Sequence, residues 1–360
     1  LANFPQAVAE HESKVVVDED GTVHITDLSV PLSIYMSEQA KRRFIQNVQN
    51  GLNTDDLDKT APDYVRQMRL SVDNWIRPKV ELAKELYPVN IEDQTIGGIR
   101  THVITPRDGI STRNKERVLI NLHGGGFVVG AGLLGIAESI PVSSIGKFKV
   151  ITVDYRMAPE YRFPAASVDV ASIYRALLRQ YEPRAIGIYG CSAGGTLSAM
   201  ATAWLQKERL AAPGAIGILS AAAFGSFYFL PMDVGSWNGD SIHIAQQLTG
   251  HAPPVLSNAG KLPPDSYLSN TDLSDPLVSP ALSPSILSKF PPTLLITGTR
   301  AWDMSATVQT QRLLIRAGVD AELHLWDGMG HCFTLEADLP ESAEAYAVLV
   351  RFFDEHLKHK

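Results

Sequence analysis

Tyr189-Gly190-Cys191-Ser192-Ala193-Gly194-Gly195 follows the short apolar run 185–189 and precedes a small-residue segment, 196–205, that reads as a helix. Ser192 therefore falls on a strand-to-helix turn, the setting that a Gly-x-Ser-x-Gly nucleophile elbow requires. Such a turn is sharp. Gly190 and Gly194 carry no Cβ to collide with neighbouring backbone, which leaves the Ser192 hydroxyl exposed at the tip. The helix beginning there aims its free N–H groups and positive dipole end at any charge that develops beside the serine.

A serine hydroxyl is a weak nucleophile near neutrality and must lose its proton to a positioned base. Of the ten histidines, His331 alone lies in a glycine-rich loop just past a C-terminal strand, in the stretch Asp327-Gly328-Met329-Gly330-His331-Cys332-Phe333. The base needs a carboxylate to hold its tautomer. The loop after strand 292–297 supplies Asp303 as its only acid, with Asp327, at the end of the last strand, in reserve. Strand 117–122 runs into His123-Gly124-Gly125-Gly126-Phe127, whose bare backbone can bring N–H groups close to a ligand oxygen. Together with the N–H of Ala193, these are the donors available to a developing oxyanion. His123 reads as an organiser of this loop rather than a base or metal ligand. Asp154, Arg156 and Glu160 read as a structural ion network.

The remaining elements alternate strands and helices. Strands are expected at 98–104, 117–122, 149–155, 216–220, 292–298 and 321–326. Helices are expected at 168–180, after 304 and at 340–357. Before them, 37–50 and 61–87 have helical spacing, capped by Ser37 and Asp63 and with a break or kink near Pro78. A hairpin turn is expected at 18–21. The strand pattern lapses between 224 and 274, where Phe227-Tyr228-Phe229, Trp237 and a short helical piece at 241–248 suggest a lid wall. The division expected is 1–92 as N-terminal cap helices, 93–223 with 275–360 as the α/β core, and 224–274 as a cap insertion.

Composition narrows the partners. A net charge of -7 argues against nucleic-acid or anionic-membrane surfaces and favours a neutral or apolar small molecule. The longest uncharged run, 210–232, contains two prolines, three glycines and two serines, so it reads as a buried strand and loop rather than a stable membrane insertion. The two cysteines, Cys191 and Cys332, flank Ser192 and His331. They are expected to be buried thiols, with a disulfide as the alternative if the serine and histidine meet. The chain opens at Leu1 without an apolar signal stretch. A cytoplasmic protein and one exported after removal of a signal segment both stay open, as does a homodimer.

The glycine run 123–127, the stretch Asp154-Tyr155-Arg156-Met157-Ala158-Pro159-Glu160, the elbow 190–195 and Gly328-Met329-Gly330-His331, in this order, resemble the hormone-sensitive-lipase family of α/β-hydrolases over about residues 95–357. The resemblance implies an α/β-hydrolase fold with a helical cap and cofactor- and metal-free hydrolysis of short- to medium-chain carboxylic esters. It assigns Ser192 as nucleophile, His331 as base and Gly125, Gly126 and Ala193 to the oxyanion hole. Where the family's acid usually stands, this chain has Ala301, so Asp303 serves only if its loop turns differently. Lactone hydrolysis or acyl transfer by the same residues, and a non-catalytic small-molecule receptor, are the alternatives.

Overall fold

The computed structural model describes residues 31–50, 52, 57–225, 262 and 266–358, together with the backbone of Val15–Val17 and Val23–Ile25. Those two short strands, β1 and β2, pair antiparallel. The turn expected between them lies outside the described residues, as do the aromatic cluster 227–229, Trp237 and the helical piece 241–248.

The centre of the molecule is an eight-stranded sheet. Its strands are β3 (Val89–Ile96), β4 (Ile99–Pro106), β5 (Val118–Leu122), β6 (Lys149–Val153), β7 (Ile186–Cys191), β8 (Ala215–Leu219), β9 (Thr293–Gly298) and β10 (Ala321–Trp326). They run in the order β10-β9-β8-β7-β5-β6-β4-β3. Only the edge is antiparallel: β4 opposes both β3 and β6, and every other pairing is parallel. β5, β7, β8 and β9 are buried at every residue, which is why their sequences are continuous apolar runs rather than alternating ones.

Eight helices are described: α1 (Glu38–Asn50), α2 (Tyr64–Leu86), α3 (Leu133–Gly146), α4 (Ala165–Leu177), α5 (Ala193–Lys207), α6 (Pro284–Leu287), α7 (Met304–Arg316) and α8 (Pro340–His356). Alternate strand residues point to opposite faces of the sheet and so feed two cores. Ile120 and Ile188 join Ile173 of α4, Leu197 of α5 and Leu314 of α7. Leu119 and Tyr189 join Ile76 of α2, Ile140 of α3 and Phe353 of α8.

Three details depart from the sequence reading. The edge strand starts at Val89, so the division at 92/93 cuts through it. α2 runs unbroken across Pro78. α3 is an additional element, and its absence from the reading has a physical cause: residues 134–144 are buried on every face, which erases the helical period. The caps divide. The Ser37 hydroxyl accepts the Ala40 N–H at 3.0 Å, whereas the Asp63 carboxylate turns to the side chains of Arg66 and Gln67.

Candidate active site

β7 delivers Ser192 at its C-terminal end, and α5 begins at the next residue. The serine sits at φ 58 and ψ −125, a conformation that costs a non-glycine residue about 1–3 kcal/mol. Its neighbours leave no choice of residue. A Cβ on Gly190 would lie 2.2 Å from the Leu122 carbonyl oxygen, and one on Gly194 only 1.7 Å from it. The turn is pinned by the Ser192 N–H donating to Leu219 at 2.9 Å and by Ser192 accepting from the Thr196 N–H at 3.0 Å.

The structure brings His331 and Asp303 to this serine. His331 Nε2 lies 3.0 Å from Ser192 Oγ, and His331 Nδ1 lies 2.6 Å from Asp303 Oδ1. Asp303 is fully buried, and its second oxygen accepts the Thr297 hydroxyl at 2.5 Å. The loop does turn differently to achieve this. Ala301 N–H bonds back to Gly298 and Met304 N–H to Ala301, each at 3.1 Å, so Ala301 is buried in the turn and Asp303 heads α7. The Trp302 ring packs beside the imidazole, 4.3 Å between centroids. Asp327 lies elsewhere. It accepts from Ser33 and, at 2.9 Å, from Thr299, and these bonds hold its carboxyl below the usual range.

The glycine run crosses the mouth of β5. Gly125 has φ 103 and Gly126 φ 62, and a Cβ on Gly125 would collide with the Val129 carbonyl at 2.2 Å. His123 is buried beneath, stacked on Tyr155 at 4.1 Å, with Nδ1 2.6 Å from the Gly124 carbonyl. Burial pushes its pKa down to about 4, which keeps it neutral. Asp154 accepts the Gly132 N–H at 2.8 Å, Arg156 pairs with the buried Asp169, and Glu160 pairs with Arg69, whose guanidinium also donates to the Val128 and Ala158 carbonyls. Of the three, Glu160 ties α2 to the loops at Val128 and Ala158 through Arg69, Asp154 holds the start of α3, and Arg156 holds α4.

The sequence reading missed Glu138. Its Oε1 accepts the Gly124 N–H and its Oε2 the Asn121 amide, each at 3.0 Å. It has no ion pair among the described residues, and burial raises its pKa to about 8. The signal was available: a lone acid in an otherwise uncharged helix.

A cavity of about 460 Å³ opens onto the pair Ser192 and His331. Its walls include Met36 just before α1, Phe44 of α1 and Val72 and Trp75 of α2, with Gly125 and Leu134 from the core. Cys191 and Cys332 form a disulfide with 6.3 Å between Cα atoms. This corrects the expectation of free thiols: the approach of His331 to Ser192 carries the flanking sulfurs into bonding range. No described helix is long and apolar enough to cross a membrane.

Residues 119–335 match a family model described as the alpha/beta hydrolase fold. The carboxylesterase/phospholipase LipF of Mycobacterium tuberculosis is 30% identical over 73% of this chain and 67% of its own length. The crystal structure of an esterase superposes with a TM-score of 0.74 at 27% identity, covering 93% of this chain and 99% of that one. An esterase of the bacterial hormone-sensitive lipase family gives 0.72 at 24% identity, with 89% and 99% covered, a likeness of fold.

Proposed function

We propose, for a chain that belongs to the alpha/beta-hydrolase family and is a carboxylic ester hydrolase, a serine mechanism run by Ser192, His331 and Asp303 on short- to medium-chain esters of small molecules. The observation that carries it is the continuous chain of contacts from Asp303 through His331 to Ser192, at 2.6 and 3.0 Å. A proton on Nδ1, held by the buried carboxylate, leaves the Nε2 lone pair facing the hydroxyl.

In this mechanism Ser192 Oγ attacks the ester carbonyl as Nε2 takes its proton. The N–H groups of Gly125, Gly126 and Ala193 receive the oxyanion, each such donor being worth about 3 kcal/mol of barrier. Collapse of the tetrahedral intermediate breaks the bond to the leaving alcohol, which takes the proton from His331, and the acyl group stays on Ser192. Water then repeats the sequence: His331 accepts its proton, the acid leaves and the serine is restored. Asp303 steadies the imidazolium.

The cavity's volume and its apolar lining of Met36, Phe44, Val72 and Trp75 favour acyl groups of modest length over long lipid chains. The segment that carries α1 and α2 acts as the cap. Ser192→Ala is expected to lower kcat/KM on p-nitrophenyl acetate by about 10⁴-fold or more, with KM little changed. A variant that turns over at near wild-type rate would sink the mechanism.

A further inference from the structure

The disulfide occupies an unusual place: one half precedes Ser192 and the other follows His331. We infer that the Cys191–Cys332 bridge is a positioning element of the hydrolytic site, holding the His331 loop against the Ser192 turn, and that a small dithiol entering the substrate cavity opens it and slows turnover. The inference rests on the serine mechanism proposed above.

The two loops arrive from different parts of the chain, 141 residues apart in sequence. Their noncovalent link runs through the end of β8: the Ser192 N–H donates to Leu219, and the Cys332 N–H donates to the Ser220 hydroxyl, each at 2.9 Å. Cys332 also has φ 50, a left-handed conformation in which a side chain is disfavoured, so its loop is held against its own backbone preference. The bridge adds a covalent constraint one residue from each reacting atom. Proton transfer at 3.0 Å is sensitive to such constraint, because a displacement of about 1 Å costs about 100-fold in rate.

Access is built in. Cys332 lines the same cavity as Ser192 and His331, whereas Cys191 is sealed beneath the turn. A thiolate of the dithiol attacks Cys332 Sγ, the S–S bond breaks, and the Cys191 thiolate leaves and takes a proton. The dithiol's second thiolate then attacks the mixed disulfide, releasing Cys332 as a thiol and closing the reagent into a cyclic disulfide. Two electrons pass from reagent to protein. In an oxidising compartment the bridge stays closed, and a reducing one favours the open form.

The test uses the full chain. Dithiothreitol is added, protein thiols are counted, and kcat and KM are measured on p-nitrophenyl acetate. The expected result is two thiols per chain, kcat lowered by about 10- to 100-fold with little change in KM, an unchanged far-ultraviolet dichroism spectrum, and recovery on reoxidation with oxidised glutathione. A boronic acid held in the cavity should slow the opening. The double variant Cys191→Ser, Cys332→Ser should start at the reduced rate and ignore dithiothreitol. Two thiols with kcat near wild type, a double variant at full rate, or loss of activity only together with global unfolding each overturn the inference. Activity that survives Ser192→Ala in the oxidised enzyme overturns the underlying mechanism instead, so the two failures are separable.

Discussion

Among the described residues two histidines each hold a carboxylate at 2.6 Å through Nδ1, and only one of them faces the cavity beside Ser192. His331 contacts Asp303, and His102 on β4 contacts Asp93 on the neighbouring edge strand. The difference lies at the other nitrogen. His331 Nε2 looks onto Ser192 and the cavity, whereas His102 Nε2 lies 3.3 Å from a second carboxylate, Asp154, close enough for an ion pair though not aligned as a hydrogen bond. Asp154, followed by Asp93, raises the His102 pKa, so that ring tends to keep its proton. An imidazole flanked by two anions is a clamp. One flanked by an anion and a hydroxyl can act as a base. The pairing with a carboxylate is common to both and decides nothing by itself.

The comparison can be broken most directly at the carboxylates. Asp303→Asn should lower kcat by about 10⁴-fold, because the amide favours the wrong tautomer of His331, while Asp93→Asn should leave kcat near wild type. Steady-state kinetics of both variants decides it, and equal losses would erase the distinction. A smaller effect concerns stability. Because the folded His102 pKa is raised, its contribution is fully present below the ordinary imidazole value of 6.5 and is lost as pH rises through the folded value. His102→Gln should therefore cost most at about pH 5.5, with the gap to wild type narrowing towards about pH 8.5. Urea titrations that show a constant or widening gap would remove the clamp reading.

A further test sharpens the contrast with a third buried group. Glu138 has its pKa raised from 4.5 to about 8. As pH climbs through that interval the unfolded chain gives up the proton first, so the native state loses stability until about pH 8 and no further. Glu138→Gln has no proton to lose and should flatten the pH dependence of stability across that window. Identical slopes for the two proteins would show that the carboxyl is already ionised in the fold.

Much of this was legible because the chemistry writes itself into local sequence. Gly190 and Gly194 announce the elbow by the contacts a Cβ would make, and the continuous apolar runs of β5, β7 and β8 announce a parallel sheet. His331 is marked by its glycine-rich loop beyond the last strand. What was not legible depends on packing in three dimensions. α3 has no polar face to give it a period, and Glu138 gains meaning only when Gly124 folds over it. Residue counting from Gly298 pointed to Ala301. Only the turn closed by the Ala301 and Met304 N–H groups shows why the carboxylate two positions later reaches the imidazole. The disulfide likewise follows from how three loops converge, which no spacing between residues 191 and 332 reveals.

The cavity wall formed by Met36, Phe44, Val72 and Trp75 belongs to polypeptide that precedes the sheet, whereas the reacting groups all come from strand ends within it. On the proposed mechanism, choice of ester and cleavage of ester fall to different stretches of the chain, joined through Arg43 and Lys79, which both hold Glu336 just beyond the histidine. Under the proposed mechanism, substitutions in α1 and α2 would change which ester fits without touching the groups that cleave it.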